Sequence, residues 1–395
     1  MLEAILYQSL APRVILDYLQ RHFPKVQLGS GFATVGPGNL LLAYSDRPWP
    51  LSFVEAKQRF PNQCGFSDPF CLGGTPVTAF YFAADLFSWG NLSHFAHSQG
   101  EASFKQVLQR ALEAQREGAA QAFKAGSGSW EAESGPLVMG VLNLTPDSFY
   151  DGGRYVKESD WQAQVVKMIA EGVDIIDLGG ESTRPGSRSV EAEEQLRRIL
   201  PALRWIKERY DIPLSIDTGL VTVARPCLEA GAAIINDVSG LAAGTEMLDL
   251  LKQFDASYIL MHCQGTPKTM QDAPIYENCL LEVWDFLKTM RARCVAGGIE
   301  KEKILLDPGI GFGKSVENNL DLLNFLQGLG SLGSQIMLGT SNKSFMGKLF
   351  DLPEDQRFNV SLATQVMGLV QGAKVFRVHE VGPTKEALNM TRYYL

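Results

Sequence analysis

The sequence predicts an α/β fold, a (β/α)8 TIM barrel preceded by a smaller α+β N-terminal domain. Three observations predict it. After Gly135, eight short apolar segments each run into polar or glycine-rich residues and then into a helix-like stretch. Most of these segments are apolar on both faces and rich in Ile, Val and Leu, as strands are when helices cover one side and a core fills the other. The 395-residue chain also has room for a barrel of about 250 residues plus one further domain. In such a barrel every strand ends on the same face, so polar residues scattered from Asn143 to His379 converge on one mouth.

The elements follow in chain order. Pro12 to His22 carries Val14, Ile15, Tyr18 and Leu19 at helical spacing. Leu40 to Tyr44 and Thr78 to Phe82 read as strands. Glu101 to Lys124 reads as an amphipathic helix, with Phe104, Val107, Leu108, Leu112 and Phe123 on or near one stripe. The segment AGSGSWEAESG, residues 125–135, has the composition of a linker or surface loop, and the domain boundary is set near Gly128, giving domains of 1–128 and 129–395. The predicted barrel strands are Leu137 to Leu142, Val173 to Leu178, Pro213 to Ile216, Ala233 to Ile235, Ser257 to Met261, Ile304 to Leu306, Ile336 to Leu338 and Lys374 to Val378. Helical periodicity fills the intervals, clearly so in Glu191 to Tyr210 and Cys279 to Ala296.

Bulk properties exclude several function classes. The net charge of −8 and pI near 5.3 argue against a nucleic-acid surface, which normally carries a basic patch. No apolar run approaches the roughly 20 residues that span a bilayer, and MLEAILYQSLAPR lacks the basic leader of a secretion signal. The six dispersed cysteines suit reduced thiols in a cytoplasmic protein better than a disulfide scaffold.

The polar junctions carry the chemistry. The first loop, NLTPDSFYDGG, begins at Asn143 and contains Asp147 and Phe149; the second, GGESTRPGS, contains Thr183, Arg184 and Pro185. Glycines in the second let backbone approach a ligand, and Arg184 offers a cationic fork. Asp217, Asn236 and Asp307 place carboxylates and an amide at three strand ends, a set that suits an amino-pyrimidine edge. His262 and His379 also fall at strand ends. Arg377 and His379, two residues apart, share one side of the last strand, where barrels commonly bind phosphate. Lys343 and Ser344 border the same region, and a helix starting near Ser344 turns its free N–H groups toward it. Two other signals fail. GIGFGKS lacks P-loop spacing because Pro308 replaces the first glycine, and Cys64, Cys71, His94 and His97 match no zinc template.

In order, NLTPDSF, ESTRPG, SID, IIND, LMH, LDPGIGFGK, NKS and RVH resemble the dihydropteroate synthase family over residues 136–395, leaving residues 1 to about 128 outside. The resemblance implies a transferase of folate biosynthesis that condenses 6-hydroxymethyl-7,8-dihydropterin diphosphate with 4-aminobenzoate, with Mg²⁺ as cofactor. It implies that Asp217, Asn236, Asp307 and Lys343 hold the pterin, with Met261, Phe312 and Gly339 lining its pocket. It implies further that Asn143, Arg377 and His379 bind the diphosphate, with Asn143 also touching Mg²⁺. Asp147, Phe149, Thr183, Arg184, Pro185 and Ser344 surround the leaving group and the aminobenzoate. Catalytic weight falls on Asp307, Lys343, Arg377 and Asp147. It further implies inhibition by sulfonamides, which resemble 4-aminobenzoate. Members are commonly dimers, so the resemblance also implies a homodimer.

The chain departs from the family pattern at Asn342, where Arg is usual, and at Tyr150 and Glu380. Two alternatives share part of the pattern: a methyltetrahydrofolate-type pterin-binding barrel, not expected to keep TRPG, the NKS lysine and RVH, and a non-catalytic relative with an N-terminal interaction domain.

Overall fold

The computed structural model describes residues 2–9, 21, 38–45, 64–66, 70–72, 75–85, 122–131, 134–145, 157–182, 187, 189–265 and 274–395. Contacts divide the chain into two compact units: Met1–Ala119 with Tyr276–Asp285 and Leu320–Gly333, and Ala120–Ile275 with Phe286–Asn319 and Ser334–Leu395.

In the first unit, β1 (Leu2–Ser9), β2 (Gly38–Ser45), β3 (Cys64–Phe66), β4 (Phe70–Leu72) and β5 (Thr75–Asp85) form an antiparallel sheet in the order β1-β2-β5-β3, with β4 also on β5. The two strands expected there lie within β2 and β5. Arg21 forks onto Asp321 at 2.6 and 2.9 Å. Apart from Arg21, the helix expected over Pro12 to His22 lies outside the described residues, as do His94, His97 and most of the helix expected over Glu101 to Lys124.

In the second unit, residues 125–135, expected to be a linker or surface loop, contribute instead to a hairpin of β6 (Phe123–Ala125) and β7 (Gly128–Trp130), and Phe123 belongs to a strand rather than to a helical stripe. The physical reason is hydrophobic burial. Phe123 is 2% exposed, stacks on Trp130 at 5.7 Å, and joins Ala125 against Leu137, Met139, Ile175, Ile234, Ile259, Leu305, Met337 and Val375. Those residues come from seven barrel strands, so the hairpin plugs the barrel floor. Ser257 Oγ donates to the Lys124 carbonyl at 2.5 Å and ties the plug to its strand. Phe123→Ala is therefore expected to cost about 3–5 kcal/mol, the usual penalty for a buried Phe, measurable by denaturant unfolding.

The barrel strands are β8 (Leu137–Asn143), β9 (Ile175–Gly179), β10 (Leu214–Asp217), β11 (Ile234–Asp237), β12 (Ser257–Met261), β13 (Ile304–Asp307), β14 (Gln335–Leu338) and β15 (Val375–Val378). They pair in parallel and close into a barrel, β15 returning to β8. Each of the eight predicted strands is present. Alternation sends every second side chain inward. The lower inward layer is the apolar floor already named. In the same inward phase come Ser215 and Asp217 on β10 and, two residues beyond a floor residue of their own strand, Asp177, Asn236, Met261, Asp307 and Arg377. The predicted helix over Glu191 to Tyr210 appears as α2 (Ala192–Arg209), following α1 (Glu158–Ala170). Its buried side chains Gln195, Ile199, Ala202, Leu203 and Ile206 recur at helical spacing. The tight interval after β10 holds the short α3 (Val221–Glu229).

Candidate active site

At the C-terminal ends of the strands lies a cavity of about 390 Å³, within the range of small-molecule sites. Asn143, Asn236, Met261, Asp307, Phe312, Gly339, Lys343, Ser344, Arg377 and His379 all line it. Asp217 does not. It stands behind Arg377, whose Nη2 donates to Asp217 Oδ2 at 2.9 Å. Asp147, Phe149, Tyr150, Thr183, Arg184 and Pro185 lie outside the described residues.

The acids and cations are interleaved. Arg377 turns into the acids, its Nε donating to Asp177 Oδ2 at 2.7 Å while its Nη2 reaches Asp217. Buried carboxylates demand a counterion, and a guanidinium fork can serve two at once. Arg377 in turn is driven further into its charged form: burial opposes the charge, but Asp177 and Asp217 more than offset it. Burial raises Asp217 to about 7 against the pull of Arg377, with Asp177 adding to the rise. The Asp217 Oδ1 atom is buried with no hydrogen-bond partner.

Asp307 is also raised by burial, while the Gly309 N–H, Lys343, Lys314 and Arg377 favour its anion. Its Oδ1 accepts the Gly309 N–H at 2.7 Å. Gly309 has φ +69, and a Cβ there would meet the His262 carbonyl oxygen at 1.9 Å, so only glycine lets the loop cross so closely. Lys314, buried below, donates to His262 Nδ1 at 3.0 Å and to the Phe312 carbonyl at 3.0 Å. Burial, reinforced by Lys314, holds His262 well below its usual pKa, so the imidazole is neutral and can accept. His262 thus supports the Asp307 loop and does not line the cavity.

Lys343 precedes the helix Ser344–Phe350, which begins where the sequence places it. Its Nζ lies over the Phe312 ring, 4.0 Å from the centroid. Burial lowers it to about 8, with Arg377 adding and Asp307 and Asp217 opposing. Met261 and Phe312 pack with Val238 and Cys263 as the apolar wall. His379 Nδ1 lies 2.9 Å from Ser341 Oγ.

Asn342 has φ 56, a left-handed conformation that Asn tolerates better than most residues. Its N–H donates to Ser361 Oγ at 2.9 Å, and its carbonyl accepts from Arg357 at 3.3 Å. Arg357 lines the cavity too, so a guanidinium reaches this wall from elsewhere in the chain. Glu380 pairs with Lys167 at 3.5 Å.

Reasoning from strand ends missed Asp177. It lies mid-strand, fully buried, between Arg377 and Asn236, whose Nδ2 donates to it at 3.2 Å. The available signal was a lone acid inside the apolar run IIDLG, in phase with inward-facing Ile175.

The family model for pterin binding enzymes matches residues 139–379. The chain is 42% identical over 257 residues to the dihydropteroate synthase of Escherichia coli (strain K12), covering 65% of this chain and 91% of that one. A Yersinia pestis dihydropteroate synthase solved as a sulfonamide drug complex superposes with a TM-score of 0.65 at 38% identity, covering 69% of this chain and 98% of that one. A Burkholderia cenocepacia dihydropteroate synthase complexed with 7,8-dihydropteroate gives 0.63 at 34% identity, covering 69% and 96%. These likenesses do not favour the methyltetrahydrofolate-type and non-catalytic alternatives. The chain, with this barrel mouth and a family match over residues 139–379, belongs to the pterin-binding enzymes, and among them to the dihydropteroate synthases.

Proposed function

We propose that the barrel mouth condenses 6-hydroxymethyl-7,8-dihydropterin diphosphate with 4-aminobenzoate, giving 7,8-dihydropteroate and pyrophosphate in folate biosynthesis. The observation that carries this reading is the convergence of Asn236, Asp307, Lys343, Arg377 and His379, from four strand ends, on one cavity. Asp307 and Asn236 take the amino-pyrimidine edge, Asp217 holds the Arg377 guanidinium, Met261 and Phe312 take the ring faces, and Arg377, His379 and Asn143 take the diphosphate. Thr183, Arg184, Pro185, Phe149, Asp147 and Ser344 are assigned to the aminobenzoate and the leaving group.

The bond from the exocyclic methylene carbon to the diphosphate oxygen breaks, its electron pair leaving with pyrophosphate. The amine lone pair of 4-aminobenzoate then forms the C–N bond, and the amine proton passes to water. Positive charge on the methylene carbon spreads into the pterin ring, where ionised Asp307 stabilises it. The dominant help is electrostatic, from preorganised cations on the departing anion.

Mg²⁺ is the implied metal, and the donor set allows it. Among the described residues no group of three or more His, Cys, Asp or Glu could hold a metal, but Asn143 offers an oxygen on the cavity wall. One protein oxygen suits an Mg²⁺ that keeps most of its waters and arrives on substrate phosphates. When bound, the ion neutralises charge on the diphosphate.

Cys227, Cys263, Cys279 and Cys294 are unbonded, and no helix among the described residues is long and apolar enough to cross a membrane. The free thiols suit a cytoplasmic setting. A coupled assay with both substrates and Mg²⁺ is expected to yield 7,8-dihydropteroate, and sulfonamides to compete with 4-aminobenzoate. Folded protein that binds pterin yet forms no product at saturation contradicts the reaction. Unchanged rates at high drug concentration contradict the aminobenzoate assignment.

A further inference from the structure

Asp177 is 0% exposed, and none of the chemistry above uses it. Its Oδ2 accepts from two different members of the site, Arg377 Nε at 2.7 Å and Asn236 Nδ2 at 3.2 Å. An amide is nearly the same shape either way round, and its neighbours decide which end faces where. A carboxylate oxygen can take only the Nδ2 end, so the Oδ1 end of Asn236 is the one left for a ligand donor. The same contact fixes the guanidinium. With Nε on Asp177 and Nη2 on Asp217, Nη1 and the second Nη2 hydrogen remain for an anion. The other Asp177 oxygen and the Oγ of Ser215, its register neighbour on β10, are both buried without partners.

We propose that Asp177 is a positioning residue that couples the two halves of the substrate site, orienting Asn236 for the pterin edge and Arg377 for the diphosphate. This rests on the substrate assignment made above. A buried ion pair that serves stability alone predicts something different: lower thermal stability, with unchanged ligand affinity in whatever protein remains folded.

The test is calorimetric titration of the full chain with each half of the substrate, 6-hydroxymethyl-7,8-dihydropterin and inorganic pyrophosphate. Asp177→Asn is expected to weaken both by about tenfold, as the loss of one charge-assisted hydrogen bond does. In an Arg377→Gln background it is expected to cost less than about twofold in further pyrophosphate affinity, and likewise for the pterin in an Asn236→Ala background, because residues in one network do not act additively. Parent-like affinity for both halves, or losses that add in full in both backgrounds, overturns the proposal. Should Asp177→Asn not be recovered folded, Asp177→Glu, which keeps the charge and moves the oxygen, is expected to give the same pattern. The unmutated chain's own titrations report separately on the substrate assignment: if it binds neither half, that assignment fails first and the role of Asp177 with it.

Discussion

Arg377→Ala is expected to lose roughly a thousandfold in kcat/KM and to unfold at lower temperature than its parent. Two effects combine. The first is structural. Arg377 is the shared counterion of Asp177 and Asp217, with side chains 0% and 5% exposed. Removing one partner of a buried pair costs about 3–5 kcal/mol, because the remaining charge is left without compensation. Burial already holds Asp217 at about 7, and losing its strongest opposing charge moves it higher. The variant therefore relieves the uncompensated charge by taking up a proton on Asp217 at neutral pH. The second effect is chemical, since the departing diphosphate loses a preorganised cation, a loss of about 10²–10³ in rate by itself. Arg377→Lys is not expected to restore function, because a single ammonium cannot reproduce the fork that bridges both acids. Steady-state kinetics and thermal unfolding check both parts, and parent-like values in either contradict the corresponding one.

The second large effect concerns pH. The site calls for Asp217 as an anion, to hold the Arg377 guanidinium, and for Lys343 as a cation beside the pterin. Burial raises Asp217 to about 7, so its anion forms as pH rises through that value. Burial lowers Lys343 to about 8, so its positive charge is lost as pH rises through that one. The free enzyme then carries both required forms in a narrow window, and kcat/KM is expected to trace a bell with limbs near these two values. Lys343→Ala removes the group responsible for the alkaline limb. It is expected to weaken pterin binding by about ten- to a hundredfold, the worth of one charged hydrogen bond, and to leave kcat/KM level above the acid limb. An alkaline limb that survives in Lys343→Ala shows that another group sets it.

The barrel was legible because its strands are uniformly apolar and each stops at a polar junction. Asn236, Asp307, Lys343 and His379 could be read from position alone, since a strand end in this fold faces the mouth. Asp177 could not be found that way, because it lies two residues before its strand ends, where only inward phase reveals it. Its counterion, Arg377, was legible as a residue but not as a bridge: nothing in RVH says that the guanidinium turns toward acids on β9 and β10. The lowered Lys343 was hidden for the same reason, since it follows from burial against Phe312 rather than from the motif. The hairpin over Phe123–Trp130 was obscured by composition. Glycine and serine around a single tryptophan resemble linker, yet Phe123 and Trp130 stack on the barrel floor and supply the burial that fixes the strands. The carbonyl of Asn342, tied to Arg357, shows a further limit, because the two positions lie apart in sequence and only the folded chain brings a guanidinium to that wall.

The most direct test is a crystal structure of the full chain with 6-hydroxymethyl-7,8-dihydropterin diphosphate. The expected result is a pterin edge within hydrogen-bond distance of Asn236 and Asp307, its ring against Met261 and Phe312, and the diphosphate on Arg377 and His379. A diphosphate seated among Asp177, Asp217 and Asp307, or a ligand bound outside this cavity, would contradict the account.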